Sequence, residues 1–113
     1  MPRIQKYSLG DVVNLEFPNQ ENGKKSTYRP AIIVEDLENE AIIIFVTKQL
    51  HQQPLNPDSF VVDKDSDEGK QMGLGYHSLI CPRRQEQIRK ILINPPPRGR
   101  CSQEMIEKLE EFL

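Results

Sequence analysis

Residues 41 to 47 are Ala41-Ile42-Ile43-Ile44-Phe45-Val46-Thr47, an unbroken run of mostly apolar, β-branched side chains. Such residues favour extended structure, and a run without polar alternation is typical of a strand that is buried on both faces. Upstream, Ala31-Ile32-Ile33-Val34 forms a similar run directly after Pro30, which lacks an amide donor and is best tolerated where a strand starts. The acidic segment 35–40 joins the two runs, so we expect them to pair as a hairpin.

Further strands are expected on both sides of this hairpin. Residues 13–17 alternate apolar and polar after the turn at Gly10-Asp11, which predicts a half-buried strand. Residues 59–63 predict a short strand. Residues 73–81 predict another, in which the glycines suggest a bulge or a close backbone approach.

The remaining segments before the last helix are polar or ambiguous. Residues 18–27 and 48–58 are expected to be loops, and 64–71 a charged turn. Residues 86–94 allow a helix, from the spacing of their apolar positions, or a strand that ends before three consecutive prolines. We favour the strand.

The C-terminal segment has the pattern of an amphipathic helix. Ser102 is a suitable N-cap, and five apolar residues follow at helical spacing on one face. They are Met105, Ile106, Leu109, Phe112 and Leu113. We therefore predict a mostly β, α+β fold in one domain (1–113), a small barrel of about five to seven strands capped by a C-terminal helix.

Composition limits the classes of function. The net charge is −2 and the pI about 5.7, which argues against coating nucleic acid by bulk charge but leaves room for a local basic site. Arginines 83, 84, 98 and 100 are candidates to line such a groove. No apolar run approaches the roughly 20 residues of a membrane span. Because the first residues also lack the apolar core of a signal peptide, we expect a cytoplasmic protein without membrane contact.

The two cysteines, Cys81 and Cys101, are not in a metal-ligand spacing. We expect neither a metal nor another cofactor. In the cytoplasm the thiols would be reduced and packed as small apolar groups, with a disulfide as the alternative.

Three segments, in this order, resemble the MazF/PemK family of toxin endoribonucleases. They are Gly10-Asp11-Val12-Val13, Tyr28-Arg29-Pro30-Ala31-Ile32-Ile33-Val34 and Phe45-Val46-Thr47-Lys48-Gln49. A weaker fourth, Gly99-Arg100-Cys101-Ser102-Gln103-Glu104, is similar to the family's lead into its last helix. The resemblance covers residues 9–49 well and 99–113 loosely.

The resemblance implies an SH3-like barrel, a homodimer and metal-independent cleavage of single-stranded RNA. It also implies that the protein is the toxin of a type II toxin–antitoxin system, whose antitoxin blocks the RNA groove. Arg29 matches the family's arginine before proline, and Thr47 matches its threonine at a strand end.

The chemistry of RNA cleavage suits these two side chains. The 2′-hydroxyl attacks the neighbouring phosphate, so the site needs charge stabilisation, a proton acceptor and a proton donor. Arg29 offers a protonated fork of donors for a phosphate, and the Thr47 hydroxyl is able to hydrogen-bond a phosphate oxygen. His77 is a candidate base, with a partly exposed strand histidine as the alternative.

Other residues are expected to bind RNA without reacting. Lys24 and Lys25 would hold phosphates, Tyr28 would stack on a base or pack on the barrel, and Gln49 belongs to the matching strand end. Some relatives carry an arginine or a carboxylate, used as acid or base, on the strand that corresponds to residues 73–81, where this chain has no carboxylate. Two other functions therefore stay open: a non-catalytic SH3-like module that binds RNA or protein, and a structural or regulatory interaction domain.

Overall fold

The computed structural model describes residues 5–18 and 26–113. Six strands form one antiparallel sheet in the order β4-β5-β3-β2-β1-β6. The strands are β1 (Asp11–Pro18), β2 (Ser26–Asp36), β3 (Glu40–Thr47), β4 (Phe60–Val62), β5 (Ser78–Arg89) and β6 (Ile93–Arg100). Two α-helices, α1 (Asp67–Met72) and α2 (Gln103–Glu110), and two short 3-10 helices, Leu50–Leu55 and Lys90–Leu92, complete the fold.

The predicted mostly β class with a C-terminal helix is confirmed. In the described part of the chain the sheet is open, with β4 at one edge and β6 at the other. The expected closure into a barrel is therefore not observed.

The expected hairpin is confirmed, because β2 pairs with β3 from Ala31, opposite Phe45, to Asp36, opposite Ala41. Strand β3 contributes buried side chains to both faces of the sheet. One face packs against α2 in a helix-side core, which includes Ile44 and Leu109. The other face forms a second core, which includes Ile43. The strand was thus correctly predicted to be buried on both faces.

The C-terminal helix is also confirmed. The Ser102 hydroxyl accepts a hydrogen bond from the Met105 amide over 3.1 Å, as expected of an N-cap. Glu68 of α1 accepts a bond from the Ser102 amide over 2.9 Å, so the two helices are joined at this point. Met105, Ile106 and Leu109 are buried, whereas Phe112 and Leu113 lie beyond the end of α2 and Leu113 is exposed, so the predicted apolar face is confirmed only for its first three residues.

Helix α1 was not expected, since residues 64–71 were predicted to be a charged turn. With six residues it is too short to show an apolar periodicity, but its ends have clear signals. The Ser66 hydroxyl accepts a bond from the Gly69 amide over 3.0 Å, and Gly73 ends the helix in the left-handed region with φ 73°.

Three strand limits differ from expectation. The strand predicted over 73–81 begins only at Ser78, and it continues to Arg89. The ambiguous segment 86–94 contains the end of this strand, the 3-10 turn at Lys90–Leu92 and the start of β6, so the favoured strand assignment holds only in part. Pro30 lies inside β2 rather than at its start, where it pairs with Asn14 of β1.

The position of Pro30 has a physical reason. Residues 26–30 pair with β1 alone, because the pairing with β3 begins at Ala31. A proline is tolerated where a strand has a neighbour on one side only.

The two cysteines are free and buried, as expected of reduced thiols. None of the helices in the described residues has the length and apolar character needed to cross a membrane.

Candidate functional site

A cleft opens where β2 and β3 separate. Their pairing ends at Ala31 and Phe45, and the last residues of β3 pair only with β5, as Thr47 does with Leu79. The cleft has a volume of about 430 Å³. Its walls come from β2, β3, the 3-10 helix after β3, the turn after α1, β5 and β6. The polar residues that line it are Arg29, Thr47, Lys48, Gln49, Gln52, Tyr76, Ser78, Arg84 and Arg98.

Arg29, Thr47 and Gln49, which the sequence singled out separately, lie in this one cleft. Arg29 is exposed, and its backbone is held opposite Leu15 of β1. The Thr47 Oγ1 accepts a hydrogen bond from the Gln49 amide over 3.1 Å. This bond uses the oxygen as an acceptor and leaves the hydroxyl proton available for a ligand.

The cleft carries positive charge although the whole chain is acidic. Four cations line it, Arg29, Lys48, Arg84 and Arg98, and the described lining contains no carboxylate. Every ion pair between described residues lies elsewhere. Such an unneutralised group of cations attracts phosphate or another anion.

Two aromatic rings hold two of these cations. The Lys48 Nζ lies 4.9 Å from the centre of the Tyr76 ring, and the Arg84 Cζ lies 4.9 Å from the centre of the Phe45 ring. Tyr76 is 64% exposed, so most of its side chain is accessible to a ligand. Exposed rings beside cations are typical of surfaces on which bases of single-stranded nucleic acids stack.

Sequence reasoning did not single out Tyr76, because residues 73–77 were assigned to a strand. It also grouped four arginines that the structure separates. Arg84 and Arg98 line the cleft, whereas Arg83 pairs with Asp58, and Arg100 with an acid of β1. Since those partners are distant in sequence, no local signal distinguishes the two kinds of arginine.

Three of the expected RNA-binding residues, Lys24, Lys25 and Tyr28, stand between the end of β1 and Arg29 in the sequence. Lys24 and Lys25 lie outside the described residues. Of Tyr28 only the backbone is described, and it pairs with Glu16.

The structure does not bring His77 into the cleft lining. Its Nδ1 accepts a hydrogen bond from the Lys64 amide over 3.2 Å and lies 3.3 Å from Asp63 Oδ1. Both contacts involve Nδ1, and neither connects the ring to the cleft.

Among the described residues, Asp63, Asp65 and His77 are the one group with the composition to hold a metal ion. Each offers a ligand atom, and these atoms lie within 4.8 Å of one another. All three side chains are exposed, and Asp63 already accepts a bond from the Asp65 amide over 2.7 Å. Hydrogen bonds among these residues and Lys64 thus explain why the three side chains lie together without a metal ion.

The sequence matches no known family model. It also has no significant match among curated proteins. Membership of the MazF/PemK family therefore stays a prediction that depends on the short motifs described above.

Proposed function

We propose that the chain is a MazF/PemK-like toxin, a metal-independent endoribonuclease that cleaves single-stranded RNA in the cleft at the end of β2 and β3. The observation that carries the proposal is that Arg29 and Thr47 line the same cationic cleft. The two residues stand in separate motifs near the ends of β2 and β3 that lie away from the connecting turn, so the β2–β3 hairpin brings them to the same end of the sheet. An SH3-like barrel and a homodimer belong to the same proposal.

In the proposed reaction the 2′-hydroxyl of one nucleotide attacks its own 3′-phosphate. Negative charge builds up on the non-bridging oxygens, where the Arg29 guanidinium supplies two parallel donors. The Thr47 hydroxyl donates its proton to the same phosphate. The Gln49 amide occupies a lone pair of its oxygen and so leaves the proton for this bond. The bond from phosphorus to the 5′-oxygen breaks as the bond to the 2′-oxygen forms. Water takes up the 2′-hydroxyl proton and supplies one to the departing 5′-oxygen, which leaves a 2′,3′-cyclic phosphate on one fragment and a 5′-hydroxyl on the other.

The cleft also suits the rest of a single strand. Lys48, Arg84 and Arg98 provide contacts for neighbouring phosphates, and the exposed Tyr76 ring offers a surface for a base. In this proposal the antitoxin inhibits by occupying the same cleft, and an acidic segment would be complementary to its charge.

A non-catalytic RNA-binding module is the second candidate. One observation favours it: the described lining contains neither a carboxylate nor an imidazole that would accept the 2′-hydroxyl proton. Such a module would make the same contacts between the cleft residues and RNA but would not cleave the strand.

Incubation of the purified protein with a mixed-sequence RNA in the presence of EDTA tests the proposal. The enzyme is expected to yield fragments with 2′,3′-cyclic phosphate ends, and R29A is expected to yield none while it retains the wild-type melting temperature. R83A is the matched control, since Arg83 is ion-paired with Asp58 and does not line the cleft. Binding of RNA by the wild type without any R29-dependent cleavage would instead support the second candidate.

A further inference from the structure

Arg98 differs from the other cations of the cleft in the way it is held. Its Nε donates to the Gly73 carbonyl oxygen over 2.9 Å, and its Nη1 donates to Asn14 Oδ1 over 2.9 Å. Lys48 and Arg84, in contrast, rest on aromatic rings. Two hydrogen bonds from different parts of the chain fix the plane of the guanidinium.

Close backbone packing keeps these partners in place. A Cβ atom at Gly73 would lie 2.3 Å from the Arg98 carbonyl oxygen, and one at Gly99 would lie 2.3 Å from the Met72 carbonyl carbon. Only glycine permits this approach of the α1 terminus to β6. The position of the Arg98 side chain is therefore set by the fold itself.

The donors that remain on Arg98 are open to the cleft. A guanidinium has five N–H groups, and the two bonds above use two of them. Nη2 lies beside Gly75, at 3.7 Å from the place where a Cβ would stand, and Gly75 itself lines the cleft. No ion pair with a described carboxylate neutralises Arg98.

We propose that Arg98 is a second phosphate-binding guanidinium of the cleft, which holds a phosphodiester next to the one at Arg29, and that Asn14 is its positioning residue. The inference rests on the proposed function only in taking the ligand to be a single-stranded nucleic acid. A side chain that is fixed before binding loses little conformational entropy on binding, so the partly buried Arg98 is expected to contact phosphate more strongly than a freely rotating cation would.

The partner of Arg98 is neutral, which preserves the charge of the guanidinium. Asn14 orients the guanidinium without cancelling its charge, whereas a carboxylate at this position would compete with phosphate. The neighbouring Arg100 illustrates the other arrangement, because its Nη1 lies 2.7 Å from Asp11 Oδ1. Arg98 and Arg100 lie on the same strand, and only Arg98 lines the cleft.

The test measures binding of a mixed-sequence 2′-O-methyl oligoribonucleotide, which is not cut by attack of a 2′-hydroxyl, at several salt concentrations. R98Q is expected to weaken binding at least about tenfold. It is also expected to reduce the slope of log K against log salt by about 0.7, the value for one phosphate contact of a single strand. R100Q makes the same change of charge outside the cleft and is expected to remain within about twofold of the wild type.

N14D separates a positioning role from a purely structural one. Aspartate is nearly isosteric with asparagine, so N14D is expected to keep the melting temperature while the new ion pair lowers both the affinity and the salt slope, as R98Q does. If R98Q fails to fold, the affinity and the salt slope of N14D alone decide whether Arg98 binds phosphate. Equal binding by R98Q and R100Q, or unaltered binding by N14D, would overturn the assignment.

The outcome for cleavage is independent of this test. A wild type that binds the oligonucleotide but leaves unmodified RNA intact would refute the nuclease and leave the role of Arg98 standing. If the wild type cleaves RNA and R98Q binds the oligonucleotide as tightly as the wild type does, only the proposed role of Arg98 is refuted. A wild type without salt-dependent binding would refute the role of Arg98, and the cleavage assay on unmodified RNA would decide the nuclease separately.

Discussion

The Thr47 Oγ1 accepts a hydrogen bond from the Gln49 amide over 3.1 Å, and both residues line the cationic cleft. If the hydroxyl proton is donated to a phosphate oxygen, T47V should reduce RNA cleavage by roughly 100-fold, the typical loss for one donor to a developing oxyanion. T47S retains the hydroxyl and should keep most of the activity. Initial cleavage rates at saturating RNA measure the difference.

Binding of uncleavable RNA provides the control for this prediction. T47V should change its affinity by less than about threefold, because a donor used mainly in the transition state contributes little to ground-state binding. A loss of affinity equal to the loss of rate would assign Thr47 to binding instead of catalysis.

Lys90 and Asp36 form an ion pair that is far more buried than the others. The Lys90 Nζ lies 2.6 Å from Asp36 Oδ1, and its side chain is only 8% exposed. D36N should destabilise the protein by about 2 kcal/mol, because it leaves a buried ammonium without its counter-ion. D65N, which removes the exposed partner of Lys64, should change the free energy of unfolding by less than about 0.5 kcal/mol. Urea unfolding at neutral pH measures both.

The same carboxylate predicts a dependence of stability on pH. Burial raises the pKa of Asp36, but hydrogen bonds from the Lys90 ammonium and the Tyr7 amide, with the charges of Lys90 and Lys6, outweigh burial and lower the pKa overall. A carboxylate with a lowered folded pKa contributes its full stability above the unfolded value of about 3.9 and loses it as the pH falls through the folded value. The wild type should therefore lose more stability than D36N below about pH 4. Parallel curves for the two proteins would contradict this prediction.

The sequence predicted the centre of the fold better than its edges. The run at 41–47 is rich in β-branched residues, which favour a strand, and the residues after Ser102 have apolar positions at helical spacing; both elements are confirmed. Helix α1 and the turn at 73–77 are too short for such a pattern, so their geometry depends on single caps and close contacts. Pro30 was misplaced because local preference does not reveal that β2 has one neighbour there.

Only those residues of the candidate site that belong to the sequence motifs could be predicted. Arg29, Thr47 and Gln49 are common to the motifs and to the cleft. Arg98 was only one of several late arginines, since its partner Asn14 is 84 positions away and no spacing rule connects the two residues. The sheet order, which places β1 next to β6, creates this contact.

The two buried thiols should be unreactive in the folded protein. Burial, with the nearby Glu68 carboxylate, raises the pKa of Cys101 to about 12, and burial also raises the pKa of Cys81. Because the thiolate is the reactive form, a disulfide reagent at pH 8 should modify neither cysteine until urea unfolds the chain, when two thiols per chain should react. Rapid modification of one thiol in the native protein would show that its surroundings open readily.

The joint between α1 and β6 offers the sharpest test of the fold around the cleft. Gly73 has φ 73°, and a Cβ there would meet the Arg98 carbonyl oxygen at 2.3 Å, so G73A combines an unfavourable backbone conformation with a backbone clash. We expect it to lower the free energy of unfolding by at least about 2 kcal/mol. Gly75, two residues later, has no such constraint, and its Cβ would have its nearest neighbour at 3.7 Å. G75A should therefore stay within about 0.5 kcal/mol of the wild type, and equal effects of the two substitutions in urea unfolding would mean that α1 and β6 do not approach as closely as the structure has them.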